Sequence, residues 1–248
     1  MMEYQYADFA TVYDRLMENV DYHQWIERIN EIFQGNQLLP KRILETACGT
    51  GNITIPLAQQ GYHVTGVDLS LDMLVVAKDK ALKAGQEILF LQQDMAELEV
   101  MDAYDAILCL CDGVNYLVED ADAAAFFQRA YEGLREGGML IFDVSTPYKL
   151  ACILGSNTFG ENLGDLCYLW ENDFDPLAET VEMNLTFFIQ EGACFRKFEE
   201  CHLQRAHSLE GLMKSLKAAG FRDVELEDDY TSRGVTKKTE RAVFVCKK

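Results

Sequence analysis

The stretch Glu45-Thr46-Ala47-Cys48-Gly49-Thr50-Gly51-Asn52 follows a short apolar run, Arg42-Ile43-Leu44, and precedes Thr54-Ile55-Pro56-Leu57-Ala58-Gln59-Gln60, so it reads as the turn between a strand and a helix. Two glycines flank one residue where the backbone must turn sharply and let a ligand approach with no Cβ in the way. The helix that follows offers unpaired backbone N–H groups. A dinucleotide fold wants a third glycine three residues on; that position is Thr54, so the pyrophosphate fingerprint is incomplete. The acid Glu45, just before the turn, repels a diphosphate and suits an ammonium group.

Outward from the turn, strand and helix patterns alternate. His63–Leu69 and Ile88–Asp94 read as strands around a helix, Leu71–Gly85; Tyr104–Cys111 and Gly137–Val144 read as two more strands, with the Ala-rich Asp120–Leu134 as a helix between them. This alternation over about 100 residues predicts an α/β fold: a doubly wound, mostly parallel, seven-stranded Rossmann-like sheet. The first ~35 residues read as helix, with Phe9, Val12, Tyr13, Leu16, Trp25, Ile29, Ile32 and Phe33 at three- and four-residue spacing. After Asp143 the rhythm changes to consecutive antiparallel strands with corners at Asp175-Pro176 and Glu191-Gly192, then a helix closed by Gly220 and two final strands. The expected organisation is a helical cap over 1–40, a core over 41–148 and 206–248, and an inserted small antiparallel β lobe over 149–205 on the substrate side.

Strand ends then supply acids. Asp68 closes the second strand 17 residues after Gly51, near the interval at which a carboxylate reaches a ribose diol. Asp94 follows the third strand, placed to accept from an exocyclic amine, with Met95 beside it as an apolar face for a base. In open α/β sheets ligands bind in the crevice beyond the carboxyl ends of the strands.

The segments ETACGTGN, GVDLSLDML, QQDM and LREGGMLIFDV together resemble the class I S-adenosylmethionine-dependent methyltransferases. The resemblance covers roughly residues 4–145 and the last two strands, and implies S-adenosylmethionine as cofactor. It assigns the methionine part to Glu45, Ala47, Cys48, Gly49, Gly51 and Asn52, the ribose to Asp68 with Leu69 and Met73 nearby, and the adenine to Asp94 and Met95. YADFATVYDRLM, at the N-terminus, is similar to the aromatic cap of the small-molecule branch that includes glycine and sarcosine N-methyltransferases, so Tyr13 and Tyr6 would close over the cofactor. CLCDGVNYL is similar to the segment beside the methyl group, which puts Cys109 and Leu110 near the cofactor and Asp112 and Asn115 near the acceptor. Tyr6, Asp112 and His202 are the candidate catalytic residues. The expected acceptor is a small molecule, methylated on nitrogen or oxygen by in-line displacement. Two other readings stay open at this point: a nicotinamide-dependent oxidoreductase on the same kind of sheet, and a non-catalytic nucleoside-binding regulatory protein.

Composition narrows the partners. Of 248 residues, 22 are Lys or Arg and 41 are Asp or Glu, a net charge of −19 that repels nucleic-acid phosphates and anionic membranes. No apolar run reaches the ~18 residues of a membrane helix, and the opening residues lack a signal-peptide pattern, so a cytoplasmic protein is expected. Eight cysteines include no CxxC pair, so no metal site or redox motif is spelled and reduced thiols are expected. Cys109 and Cys111 are expected to point the same way into the core, His202 to lie in a strand, and the acidic run Glu225–Asp229 to be solvated surface.

Overall fold

The computed structural model describes residues 9–100 and 103–248. Two helices open it, α1 (Phe9–Leu16) and α2 (Tyr22–Gly35). The single N-terminal helix expected from the periodicity is therefore two. The chain breaks after Leu16 and restarts at Asp21, whose carboxylate accepts from the Gln24 N–H at 3.0 Å as an N-cap.

β1 (Arg42–Thr46), α3 (Thr54–Gln59), β2 (His63–Asp68), α4 (Leu71–Lys83), β3 (Leu89–Gln92), β4 (Tyr104–Cys109), α5 (Asp120–Gly133) and β5 (Leu134–Ser145) follow in alternation. Next come a π-helical turn (Lys149–Leu154) and the strands β6 (Thr158–Asn162), β7 (Leu166–Asp175), β8 (Thr180–Glu191) and β9 (Cys194–Arg205). The chain then returns through α6 (Leu209–Ala219) to β10 (Asp223–Asp228) and β11 (Arg241–Lys247). The main sheet has seven strands in the order β10-β11-β5-β4-β1-β2-β3, with β11 antiparallel to both neighbours and the others parallel.

Successive residues of one strand serve opposite faces, as the two-residue pleat requires. Ile43, Leu108 and Ile141 pack under α2 with Ile29 and Phe33, while Leu44, Ile107, Leu140 and Phe142 pack under α5 and α6 with Phe126, Phe127 and Leu216. Both faces are thus covered, which is why these strands read as continuous apolar runs. The second sheet, β6-β7-β8-β9, is antiparallel throughout. β6 escaped the sequence reading because Thr158–Asn162 is wholly exposed and carries no alternation.

Two local expectations change. Cys109 joins the α5 side of the core and Cys111 the α2 side, because the strand ends at Cys109 and Cys111 has a left-handed φ of 60°, which breaks the two-residue alternation. Within the acidic run, Glu227 is not solvated: it is ion-paired with Arg28 of α2, both side chains being largely buried.

Candidate active site

The parallel register aligns the carboxyl ends of β1, β2, β3 and β4, so Thr46, Asp68, Gln92 and Cys109 form one edge. Beyond it the chain turns from β1 into α3 with Ala47, Gly49 and Gly51 all at positive φ, 51°, 54° and 78°. A Cβ built on Gly49 meets nothing within 4 Å, so the turn leaves an open cradle there. At Gly113, by contrast, a Cβ would lie 2.8 Å from Cys109 Sγ and 2.9 Å from Ala47 Cβ. Glycine at 113 lets the loop after β4 close against the turn.

Two acids flank the cradle, Glu45 buried and Asp68 part-buried. Glu45 is 3% exposed, and its carboxylate accepts from the Thr54 hydroxyl. Burial pushes its carboxyl up to about 8; the Thr54 hydrogen bond opposes the shift and the Asp68 charge adds to it. Asp68 holds the turn itself, accepting from Gly49 N at 2.7 Å and from Ser70 N at 2.8 Å. Two bonds leave a carboxylate with lone pairs for a diol. Burial raises this carboxyl as well, against the pull of those backbone bonds.

Asp94 caps the short 3-10 turn Met95–Glu97 by accepting from Ala96 N at 2.8 Å, and Met95 Sδ lies 3.5 Å from Cys109 Sγ. Leu69 is 60% exposed beside Asp68. Met73 is buried under Phe9 and Val12, so it supports α1. The thiols of Cys48, Cys109 and Cys111 are all pushed up by burial, that of Cys111 to about 12, so they stay protonated and poorly nucleophilic.

α1 is tied to the glycine turn by a network that no motif announces. Asp14 accepts from the Thr50 hydroxyl at 2.6 Å, the Asn52 amide at 3.0 Å and the Lys80 ammonium at 2.6 Å, and Lys80 also donates to Asn52 Oδ1 at 2.6 Å. Both ends of the Asn52 amide are engaged, so this residue latches α1 down. The latch puts Tyr13 over the edge, its hydroxyl 3.9 Å from Cys111 Sγ. Tyr6 lies outside the described residues.

Asp112 sits in a left-handed turn after β4, where its oxygens accept from Gln204 Nε2 at 2.7 Å and Arg241 Nη2 at 3.0 Å. Burial pushes its carboxyl up, but Arg241, Lys149 and Gln204 together outweigh that and hold it below the ordinary range. A carboxylate engaged in this way is a poor proton acceptor, which argues against the catalytic role expected for Asp112. Asp143 completes the network. It accepts from the N–H groups of Cys111 and Asp112 at 2.8 and 2.7 Å, from the Tyr230 hydroxyl and from Arg241. Asn115 is fully buried and donates to Ser145 O at 3.0 Å and Arg205 O at 2.8 Å.

His202, on β9, is 3% exposed between the Phe9 ring, with centroids 5.3 Å apart, and Tyr116, whose hydroxyl is 3.5 Å from Nδ1. Burial lowers the imidazole to about 4. α1, the loop after β4 and the lobe thus converge on one spot. Among the described residues no His, Cys, Asp and Glu group could hold a metal ion, and no helix is long and apolar enough to cross a membrane.

Comparison with known proteins defines the class. The family described as "Methyltransferase domain" matches residues 43–138. A Bacillus subtilis protein named "Putative methyltransferase YqeM" is 37% identical over 98% of this chain and 97% of its own. A crystal structure of an S-adenosylmethionine-dependent methyltransferase from Clostridium acetobutylicum is 34% identical and superposes with a TM-score of 0.90 over 98% of both chains. The glycine/sarcosine N-methyltransferase of Aphanothece halophytica is 31% identical over 105 residues, 42% of this chain and 40% of that one.

This chain belongs to the class I S-adenosylmethionine-dependent methyltransferases and uses S-adenosylmethionine. Neither the oxidoreductase nor the non-catalytic reading is favoured. The residues fit the cofactor: the Gly49 cradle is open, and the acids Glu45 and Asp68 stand on either side of it.

Proposed function

We propose that the chain methylates a small molecule held between α1, the loop after β4 and the inner face of the lobe, with nitrogen as the favoured acceptor atom. The observation that carries this reading is the enclosure around His202, where Phe9, Tyr116 and β9 meet beyond the carboxyl edge. An enclosed setting of this kind suits a compact acceptor, and the net charge of −19 disfavours a nucleic acid. The partial similarity to a glycine/sarcosine N-methyltransferase supports the choice of nitrogen.

The cofactor supplies an electrophilic methyl group, and the protein's task is to align the acceptor with it and exclude water. Glu45 would hold an ammonium, Asp68 a diol, and Asp94 with Met95 an amino-bearing base. Tyr13 would close the methyl-side opening. His202, held neutral by burial, would accept a hydrogen bond from the acceptor N–H and orient its lone pair; at about 4 it is a positioning group, not a store for the released proton.

Incubation with methyl-labelled S-adenosylmethionine and a panel of small amines, alcohols and phenols, alongside RNA, DNA and protein extracts, tests the reading. Label is expected in a small amine. Label confined to a macromolecule would overturn the small-molecule assignment, and label confined to oxygen acceptors would overturn the choice of nitrogen.

A further inference from the structure

The turn that leads from β5 into the lobe carries a cation to which the cofactor site gives no task. Lys149 opens the π-helical turn, and π-helical stretches are frequent at functional sites. Its backbone is fixed. The N–H of Lys149 donates to the Thr146 hydroxyl at 3.2 Å, that hydroxyl donates to Thr239 O at 2.6 Å, and the next residue, Leu150, is fully buried under the lobe. The side chain reaches back to the end of β5, where its ammonium donates to Ser145 Oγ at 3.2 Å. Among the described residues no carboxylate lies within 4 Å of that ammonium, whereas Lys80 and Arg241, also part-buried, each have one. An ammonium has three N–H groups, so two remain for a ligand.

The neighbours of Lys149 belong to the enclosure around His202. Ser145 is joined to Asn115 of the loop after β4, whose amide donates to Ser145 O and accepts from Ser145 N. The charge of Lys149 reaches Asp112 in the same loop, and Asp112 is held by Gln204. Gln204 and His202 share the buried face of β9, one two-residue step of about 6.7 Å apart. The cluster is not sealed: the side chains of Asp112 and Arg241 are 19% and 14% exposed, and Lys149 is part-exposed beside them. A few placed polar groups of this kind orient the ligand in a small-molecule site.

We propose that Lys149 selects an acceptor that carries a carboxylate, its amine toward His202 and its acid toward the end of β5, an inference that rests on the small-molecule methyl-transfer reading above. A bond from an ammonium to a carboxylate is about twice as strong as one between neutral groups, so an amide of the same shape binds less well. A phosphate would bring a second negative charge toward Asp112, so a single ammonium at this place matches a carboxylate better.

Thermal denaturation of the full chain saturated with S-adenosylhomocysteine tests this with isosteric pairs: β-alanine against β-alaninamide, 4-aminobutyrate against 4-aminobutanamide, and 6-aminohexanoate against 6-aminohexanamide, with O-phosphoethanolamine as the phosphate arm. In at least one pair the acid is expected to raise Tm by about 2 °C or more and the amide not to. Lys149→Gln is expected to abolish that difference and Lys149→Arg to keep it, while both keep the shift caused by S-adenosylhomocysteine, which shows that each variant is folded. A merely structural lysine would change the Tm of the chain and leave the difference between acid and amide untouched. In the parent chain, acetylation of Lys149 read by mass spectrometry is expected to slow when the stabilising acid is present and not when its amide is. Equal or absent shifts within every pair, a difference that survives Lys149→Gln, an unprotected Lys149, or stabilisation by O-phosphoethanolamine beyond that of every acid would overturn the proposal. Failure of the methyltransferase reading is a separate result, seen when S-adenosylhomocysteine does not stabilise the parent chain.

Discussion

Glu45 and Asp68 lie on either side of one glycine turn and are expected to respond differently to substitution. Asp68→Ala removes a hydrogen-bonding carboxylate and also the two bonds that shape the turn, so cofactor binding should weaken by about 1.5–3 kcal/mol in a calorimetric titration. An affinity within twofold of the parent would contradict the ribose assignment. Glu45 makes a prediction about protons. Its folded value of about 8 lies above that of an ordinary carboxyl, so in the chain by itself the group is mostly protonated at pH 7. An ammonium placed against it favours the charged form, so cofactor binding should release a proton. Between pH 6 and 8 the affinity should rise with pH, approaching tenfold per unit at the acid end, and Glu45→Gln should flatten that slope. Titrations at pH 7 in buffers of different ionisation heat measure the released proton directly.

At the level of elements, the decisive contact is the one between α1 and α4 through the glycine turn. Lys80→Met removes the cation from the Asp14 network, and about 1 kcal/mol is a reasonable scale for a half-exposed pair with several hydrogen bonds. Hydrogen exchange in α1 should accelerate and cofactor affinity should fall about fivefold; unchanged exchange would show that apolar packing alone seats the helix. This latch also marks where sequence reading stops. The turn, the strand-end acids and the alternation are local patterns, each legible within a few residues, and β7, β8 and β9 of the lobe announce themselves by their corners. Asp14 and Lys80 are 66 positions apart and look like ordinary surface charges until the sheet brings them together. Glu227 was hidden by its acidic neighbours in the same way, and Asp112 by the distance to Gln204 and Arg241. The break between α1 and α2 was missed because the apolar rhythm continues across it, leaving only the Asp21 cap as a signal.

Across the whole molecule, the two sheets are joined by buried polar side chains. Gln204 of β9 holds Asp112, Asp112 holds Arg241 of β11, and Arg241 holds Asp143 of β5 while lying over the Trp25 ring at 5.0 Å. Arg241→Met would leave two carboxylates without their cation, a loss of about 3–5 kcal/mol, and Tm should fall by roughly 6–20 °C. A drop of less than about 3 °C would show that the network is dispensable. Asn115 adds a staple between the same parts, fixed at once to the end of β5 and to the end of β9. Both ties meet the lobe where β9 ends, so that end of the lobe is pinned to the main sheet. With that end of the lobe pinned, α1, held by part-exposed contacts around Asp14, is the element whose opening we expect to pace the exchange of spent donor for fresh donor.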